Sequence, residues 1–299
     1  MCRIKYLLLL TAFIIMGCQV SEQDDSLIEK RKNKVEEVEY QRAFKVGVMP
    51  TMDCLPIFLL KDSALYNPDD IDIRLKEYTS QRDCDTAMIN GRVQAAVTDL
   101  VQAEYLKEEK SAVLDYMTET NATWQLMATP ASGIKQVEDL DDKVIGLAFN
   151  SVTQYLTIQV ISSHSIKNRT YGSQINDIFI RMQMLRNKQL DAVWTSEPQT
   201  TQAKILGNKE IYNSTKQDFT PGAIVFVNAP KVEKRKAFED AYNKAVDMIN
   251  KHPIQYFAPL IRKYMRVDDK VISALPNMVY KRVTPPRQRD IIKAQNAIM

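Results

Sequence analysis

The sequence predicts an α/β protein with two lobes that face one cleft, each lobe a mainly parallel sheet flanked by helices. Strand patterns alternate with helical patterns along most of the chain, which favours parallel strands that are covered on both faces. Polar residues follow two apolar strands, at 44–48 and 143–149, and lead into helices. The length of 299 residues and an apolar content of 45% are sufficient for two lobes with full cores.

The first residues have the pattern of a secretory signal. Arg3 and Lys5 precede an apolar run, residues 7–16, that is too short to span a bilayer comfortably. Residues 15–18, Ile-Met-Gly-Cys, resemble a bacterial lipobox, which implies cleavage before Cys18 and attachment of lipid such as palmitate to its sulfur. An ordinary signal peptide that ends in Gly-Cys is the alternative. We therefore expect a signal peptide at 1–17, a charged tether at 18–43 and an exported location.

An exported location permits disulfides, so the two remaining cysteines are informative. Cys54 and Cys84 each follow a predicted strand and could meet at one sheet edge, either bonded or as two buried thiols. The net charge of +3 indicates neither nucleic acid nor a polybasic membrane patch as a partner. His164 and His252 are the only histidines and lie far apart, so we expect no metal and no cofactor.

The predicted elements follow in order. Lobe one begins with strands at 44–48, 71–78 and 94–98 and helices at 55–65, 85–90 and 99–110. The middle of the chain contains strands at 123–129, 143–149, 191–194, 210–213 and 223–228 and helices at 134–140, 152–164, 175–190 and 198–206. The chain is helical after 231. Strands 123–129 and 223–228 are placed to cross between lobes, so lobe one is predicted as 44–124 plus 229–299 and lobe two as 125–228.

Four blocks carry a family resemblance: LPIFLLKDSALY, GRVQAAVTDL, VEDLDDKVIGLAFNSVTQYL and LRNKQLDAVWTSEPQTTQAKILG. In this order they resemble the ABC-transporter periplasmic solute-binding proteins of the nitrate, sulfonate, taurine and thiamine-pyrimidine-precursor group. Asp142 replaces the usual glycine of the third block, and the fourth matches at Asp191, Ala192, Glu197, Pro198, Ala203 and Gly207. The resemblance implies a type II periplasmic binding fold, a small ligand held between two lobes, and delivery to an ABC permease by a monomer.

The candidate ligand-binding residues are polar or aromatic side chains that follow strands. They are Thr51, Asp53, Asp83, Thr98 and Asp99 in lobe one and Asn150, Ser151, Thr153, Trp194 and Glu197 in lobe two. Hydroxyls and helix amino termini can hold an anion, whereas carboxylates accept from an amine and a tryptophan offers a flat face. The carboxylates favour an amine-bearing or heteroaromatic ligand over a simple anion. For Asp99, Asn150 and Ser151 the alternative is helix capping, and for Trp194 it is the core.

Two other functions are compatible with the same pattern. One is an enzyme of this fold that acts on a pyrimidine or menaquinone precursor, and the other is a sensor or interaction lipoprotein that has no transport role. The pyrimidine-forming relatives have a cysteine-rich run and histidines that this chain lacks near the predicted cleft, so we expect no enzyme activity. The leading hypothesis is a lipid-anchored binding protein at the periplasmic face of a bacterial membrane, with surface exposure as a further option.

Overall fold

The computed structural model describes residues 31, 34–164, 166 and 169–298. Contacts divide the chain into two units, residues 1–43 and residues 44–299. In the first unit, residues 34–42 form helix α1, within the predicted tether. The predicted signal peptide and Cys18 lie outside the described residues and stay predictions. Within the described ranges, no helix is both long enough and apolar enough to cross a membrane.

The second unit is built on two five-stranded sheets. The first sheet has the order β2-β1-β3-β10-β4, with β1 Phe44–Val48, β2 Ile73–Glu77, β3 Ala95–Asp99, β4 Leu114–Glu119 and β10 Gly222–Val227. The second sheet has the order β7-β6-β8-β5-β9, with β5 Gln125–Ala128, β6 Val144–Leu147, β7 Tyr171–Gln174, β8 Ala192–Thr195 and β9 Lys209–Asn213. We call the first sheet and the helices packed on it lobe one, and the second sheet and its helices lobe two.

Helices cover the sheets, as the alternating pattern predicts. They are α2 Leu55–Asp62, α3 Gln81–Ile89, α4 Leu100–Lys110, α5 Val152–Ser163, α6 Ile178–Arg186, α7 Gln199–Ile205, α8 Val232–Ile249, α9 Ala258–Met265, α10 Asp269–Ala274 and α11 Gln288–Asn296. The main core lies in lobe one, where β1 and β10 pack Phe44 and Phe226 against Phe238 of α8. A second core lies around Trp194 in lobe two and extends to Leu100 of α4 and Ala294 of α11.

The predicted α/β class is confirmed, but the sheets are mixed rather than mainly parallel. In each sheet the first three strands are parallel, and the other two pairings are antiparallel. The assignment of 222–227 to lobe two also needs correction. This segment is strand β10, which lies between β3 and β4 in the first sheet and pairs with both, and its six residues are all buried there. Strands β4 and β7 were not predicted at all.

Two segments cross between the sheets, residues 120–124 and 214–221, and they are paired. Trp124 N donates to Ser214 Oγ (2.9 Å), and Ser214 N donates to Trp124 O (2.8 Å). Thr120 N donates to Gly222 O (2.8 Å). A Cβ at position 222 would lie 2.2 Å from Thr120 Oγ1, so this close approach requires glycine. The paired crossings form a two-stranded connection between the sheets, the kind of connection about which lobes can rotate.

Candidate functional site

A cleft lies between the two sheets, where strands of both lobes end. Its space, counted together with the solvent at its open mouth, is about 780 Å³. Its walls combine apolar side chains with a few polar ones, among them the charged residues Asp53, Asp99 and Arg181. Seven of the ten predicted ligand-binding residues line it: Thr51, Asp53, Thr98, Asp99, Ser151, Thr153 and Trp194.

The other three predicted residues are not part of this lining. Asp83 is exposed in the first turn of α3. Asn150 is exposed with a positive φ of 57°, in the turn before α5. Glu197 Oε2 accepts a hydrogen bond from Thr201 N (3.0 Å), so this carboxylate bonds to the first turn of the helix that follows it, α7. Each of the three follows a strand, but the local turn directs its side chain elsewhere.

Lobe one contributes two buried carboxylates. Asp53 accepts a hydrogen bond from Thr120 Oγ1 (3.3 Å), and its burial raises its pKa. Asp99 is the N-cap of α4, where its Oδ1 accepts from Gln102 N (2.9 Å). Burial raises the pKa of Asp99 to about 7, although hydrogen bonds from backbone N–H groups oppose that shift. Asp99 therefore caps α4, as the capping alternative predicts, and it also lies in the cleft wall.

In lobe two the polar residues before α5 mainly hold the turn together. Ser151 Oγ donates to Ala148 O (2.7 Å) and accepts from Thr153 N (3.2 Å), so it caps α5. Thr153 Oγ1 accepts from Ala148 N (3.0 Å). Both hydroxyls form hydrogen bonds within the turn. The two residues therefore contribute to the cleft mainly by shaping its wall.

The two tryptophans have different positions. Trp194 is fully buried, its Nε1 donates to Thr157 Oγ1 (2.7 Å) and its ring meets Tyr212 edge-on, as the core alternative predicts. Trp124, which we did not single out from the sequence, also lines the cleft and is partly exposed. It lies in the first crossing segment, so the flat face that we assigned to Trp194 is better supplied by Trp124.

Arg181 is the second residue that sequence reasoning missed. It is buried in α6, and its guanidinium donates to Ile175 O from Nε (3.1 Å) and Nη2 (2.8 Å) and to Trp194 O from Nη1 (3.1 Å). Burial lowers its pKa to about 10. Arg181 shares the apolar stripe of Ile178 and Leu185, and a cation on such a stripe is the sequence signal that could have identified it.

Hydrogen bonds join the lobes around the cleft. Met52 N donates to Glu197 O (2.9 Å), and Gln199 Nε2 donates to Pro50 O (2.9 Å). Ile178 N donates to Thr79 O (2.9 Å). A further bond runs from Val152 N of α5 to Asp99 Oδ1 (3.1 Å). The lobes are thus held together around the cleft.

Two polar atoms in the cleft wall are buried and have no hydrogen-bond partner among the described residues. They are Thr98 Oγ1 and Gln199 Oε1, on side chains that are 5% and 1% exposed. A buried polar atom without a partner is costly, so these positions indicate where a ligand would bond. Gln199 Oε1 can only accept, so it calls for a donor.

The cysteines that could have formed a disulfide are free. Cys54 and Cys84 are both fully buried in lobe one, and burial raises the pKa of each thiol well above its usual value. Of the two alternatives, the pair of buried thiols is the one observed. Within the described ranges, no group of three or more His, Cys, Asp or Glu side chains is placed to hold a metal ion.

Two lobes joined by paired crossings around a cleft define the fold of the periplasmic binding proteins. Within that class the chain belongs to the family described as NMT1/THI5 like, whose pattern matches residues 51–255. No curated protein sequence matches the chain significantly.

Solved structures of the same fold include several solute-binding proteins. The ligand-binding component of an ABC-type import system from Staphylococcus aureus, with zinc bound, is 14% identical with a TM-score of 0.72 over 86% of this chain and 90% of that one. The alkanesulfonate-binding protein of Xanthomonas axonopodis pv. citri, bound to MOPS, is 14% identical with a TM-score of 0.70 over 85% and 90%. The periplasmic nitrate-binding protein of Synechocystis PCC 6803 is 11% identical with a TM-score of 0.67 over 83% and 74%.

Proposed function

We propose that this protein is an exported solute-binding protein that captures a small molecule between its lobes and delivers it to an ABC-type importer. The observation that carries the proposal is the cleft itself, which lies between two lobes connected by paired crossing segments. Family membership and the fold shared with ligand-binding components of import systems support it.

The proposed mechanism is rotation of the lobes about the crossing segments. A ligand that contacts both walls stabilises the form in which the bonds from Met52 to Glu197 and from Gln199 to Pro50 are made. The permease would then recognise this closed form. The mechanism requires binding without turnover, and each charged group of the cleft wall already hydrogen-bonds within the protein.

For the ligand we propose an amine-bearing or heteroaromatic molecule rather than a simple anion. Gln199 Oε1 requires a hydrogen-bond donor, and Asp53 and Asp99 can accept from one. Trp124 supplies a face on which a ring or a cation can stack. A small molecule that carries N–H groups on an aromatic or aliphatic frame satisfies all three conditions.

The first test is a thermal-shift screen of the full chain in mild detergent against aminopyrimidines, thiamine, polyamines, amino acids, taurine, alkyl sulfonates and nitrate. A ligand present at a hundredfold excess over its Kd stabilises the folded state by about 2.7 kcal/mol, which is readily detected. We expect the stabiliser to carry N–H donors. The shift should be lost in Trp124→Ala and kept in Tyr171→Ala, a partly exposed aromatic outside the cleft wall. An unchanged shift in Trp124→Ala would mean that the ligand binds elsewhere.

We also propose that lipid on Cys18 anchors the protein to a membrane surface, because the lipobox resemblance implies it. Growth with a labelled palmitate should label the protein, and Cys18→Ala should abolish the label. Labelling that persists in Cys18→Ala would contradict the anchor without bearing on ligand binding.

A further inference from the structure

The amino terminus of α5 lines the cleft, and a carboxylate of the opposite lobe lies against it. This end of a twelve-residue helix carries partial positive charge and is a position where anions bind in many proteins. Here the position is taken by Asp99, which is 6% exposed and belongs to lobe one. Its Oδ1 accepts from Val152 N (3.1 Å), the first residue of α5, and from Gln102 N (2.9 Å) of its own helix.

The other N–H groups of this first turn are also engaged. Thr153 N donates to Ser151 Oγ (3.2 Å), and Gln154 N donates to Ser151 O (3.1 Å). Val152 N would therefore be the remaining donor for a ligand, and Asp99 occupies it. An incoming anion would have to displace a carboxylate that is already bonded to two helices.

The guanidinium of Arg181, which also lines the cleft, has little hydrogen-bonding capacity left for an anion. The Arg181 guanidinium has five N–H groups, and three hydrogen bonds tie it to carbonyl oxygens of lobe two. Among the described residues, the wall also carries two carboxylates, Asp53 and Asp99, and one guanidinium, that of Arg181. A negatively charged ligand would be repelled by each of these carboxylates that is ionised.

We propose that Asp99 is a specificity-determining residue, which occupies the anion position at the amino terminus of α5 from the opposite lobe and so excludes anionic ligands from the cleft. The inference rests on the proposed binding function and narrows its ligand class to neutral or cationic molecules. A protein of this fold without such a carboxylate would leave the same helix end free for an anion.

The test removes the contact between the Asp99 carboxylate and the amino terminus of α5 but keeps a side chain that can cap α4. Asp99→Ser does both, because serine is a good N-cap and its shorter side chain retracts from Val152. The full chain is titrated with formate and methanesulfonate by calorimetry at pH 8, where the wild-type Asp99 is mostly ionised because its pKa is about 7. We expect no saturable binding to the wild type and saturable binding to Asp99→Ser, which corresponds to a gain in affinity of at least about tenfold over the wild-type detection limit.

Asp268→Ser is the matched control, because Asp268 also caps a helix, α10, where its Oδ1 accepts from Val271 N (2.9 Å), and it lies outside the cleft wall. It should not gain affinity for formate. Equal gains in Asp268→Ser and Asp99→Ser would overturn the inference, since the loss of any helix-capping carboxylate would then explain the gain. The wild-type titration stands even if a variant does not fold: saturable binding of either anion to the wild type contradicts the proposed role of Asp99.

The outcomes separate this inference from the proposed function. If the ligand screen identifies taurine, a sulfonate or nitrate as the stabiliser of the wild type, the binding function stands and the role of Asp99 is wrong. If the screen identifies no ligand but Asp99→Ser alone gains formate binding, the role of Asp99 stands and the transport function loses its support.

Discussion

In the first sheet the parallel strands β2-β1-β3 are followed by β10 and β4, and in the second the parallel strands β7-β6-β8 are followed by β5 and β9. The two lobes thus repeat one plan, in which the fourth strand is antiparallel to the third. They differ in what they place in the cleft. Lobe one supplies the carboxylates Asp53 and Asp99, whereas lobe two supplies the guanidinium of Arg181 and a helix amino terminus.

The turns after β1 and β6 show the same contrast. The turn after β6 satisfies itself, because Ser151 caps α5 and Thr153 bonds back to Ala148. The turn after β1 leads into α2, whose N-cap Cys54 makes no side-chain cap, and it presents Thr51 and Asp53 to the cleft. The same kind of turn between a strand and a helix therefore forms a self-bonded part of the wall in lobe two, whereas in lobe one it presents polar and charged side chains to the cleft.

The largest expected effect comes from the cation of lobe two. Arg181→Leu would leave the carbonyl oxygens of Ile175 and Trp194 without these donors, so we expect a loss of about 3–5 kcal/mol in the free energy of unfolding, measured by urea denaturation. Arg186→Leu, an exposed position on the same helix, should change it by less than about 0.5 kcal/mol. Similar values for the two variants would show that Arg181 does not hold these carbonyls.

Replacing Asp99, a buried carboxylate of lobe one, should have the opposite effect on the free energy of unfolding. The pKa of Asp99 is about 7 in the folded protein, above its usual value of 3.8, so burial of the charged form costs stability as the pH rises toward and through 7. Asp99→Asn keeps an acceptor without the charge. We expect it to stabilise the protein by about 1–3 kcal/mol at pH 8 and by less at pH 5, measured by urea denaturation at both values. A loss of stability at pH 8 would mean that the charge itself is needed for folding.

The turn before α5 in lobe two, which Ser151 caps, should contribute less to the stability of the protein. Ser151→Ala removes the cap of α5 and the bond to Ala148 O, which should cost about 1–2 kcal/mol and lower the Tm. Ser162→Ala, an exposed position near the other end of α5, should leave the Tm nearly unchanged. If both variants behave alike, the contrast between the two turns does not extend to their energies.

The smallest expected effect concerns the bond between the lobes from Gln199 to Pro50. Gln199→Leu should change stability by no more than about 1 kcal/mol, because it also removes the unpartnered Oε1. It should nevertheless favour the open form, which would increase the radius of gyration in small-angle scattering. An unchanged radius would indicate that this bond does not hold the lobes together.

The central strands and the helices that cover them could be predicted from the sequence, because apolar runs such as those of β1, β3 and β6 have strong patterns. The two strands that were missed, β4 and β7, are both edge strands. Tyr171–Gln174 has little buried surface, so no apolar pattern marks it. The assignment of β10 to lobe two was wrong for a different reason: a sequence gives no direct sign of which sheet a crossing strand joins.

The cleft wall was also only partly predictable. Asp53 and Asp99, selected because they follow strands, do lie in the cleft wall, since the ends of parallel strands meet at one edge, and their role as ligand contacts stays a prediction. The same rule selected Asn150, whose turn directs it away. Arg181 and Trp124 reach the cleft from a helix face and a crossing segment, and tertiary packing decides both placements.

The position of β10 bears on the order in which the chain can fold during its synthesis. All strands of the second sheet lie within residues 125–213, so that sheet is complete before β10 has been made. Among the described strands, β4 pairs only with β10, so Leu114–Glu119 must wait without a partner strand until residues 222–227 emerge. We therefore expect the lobe that begins first to be finished last, and a nascent chain that stops before residue 222 to carry one completed lobe and one that still lacks a central strand.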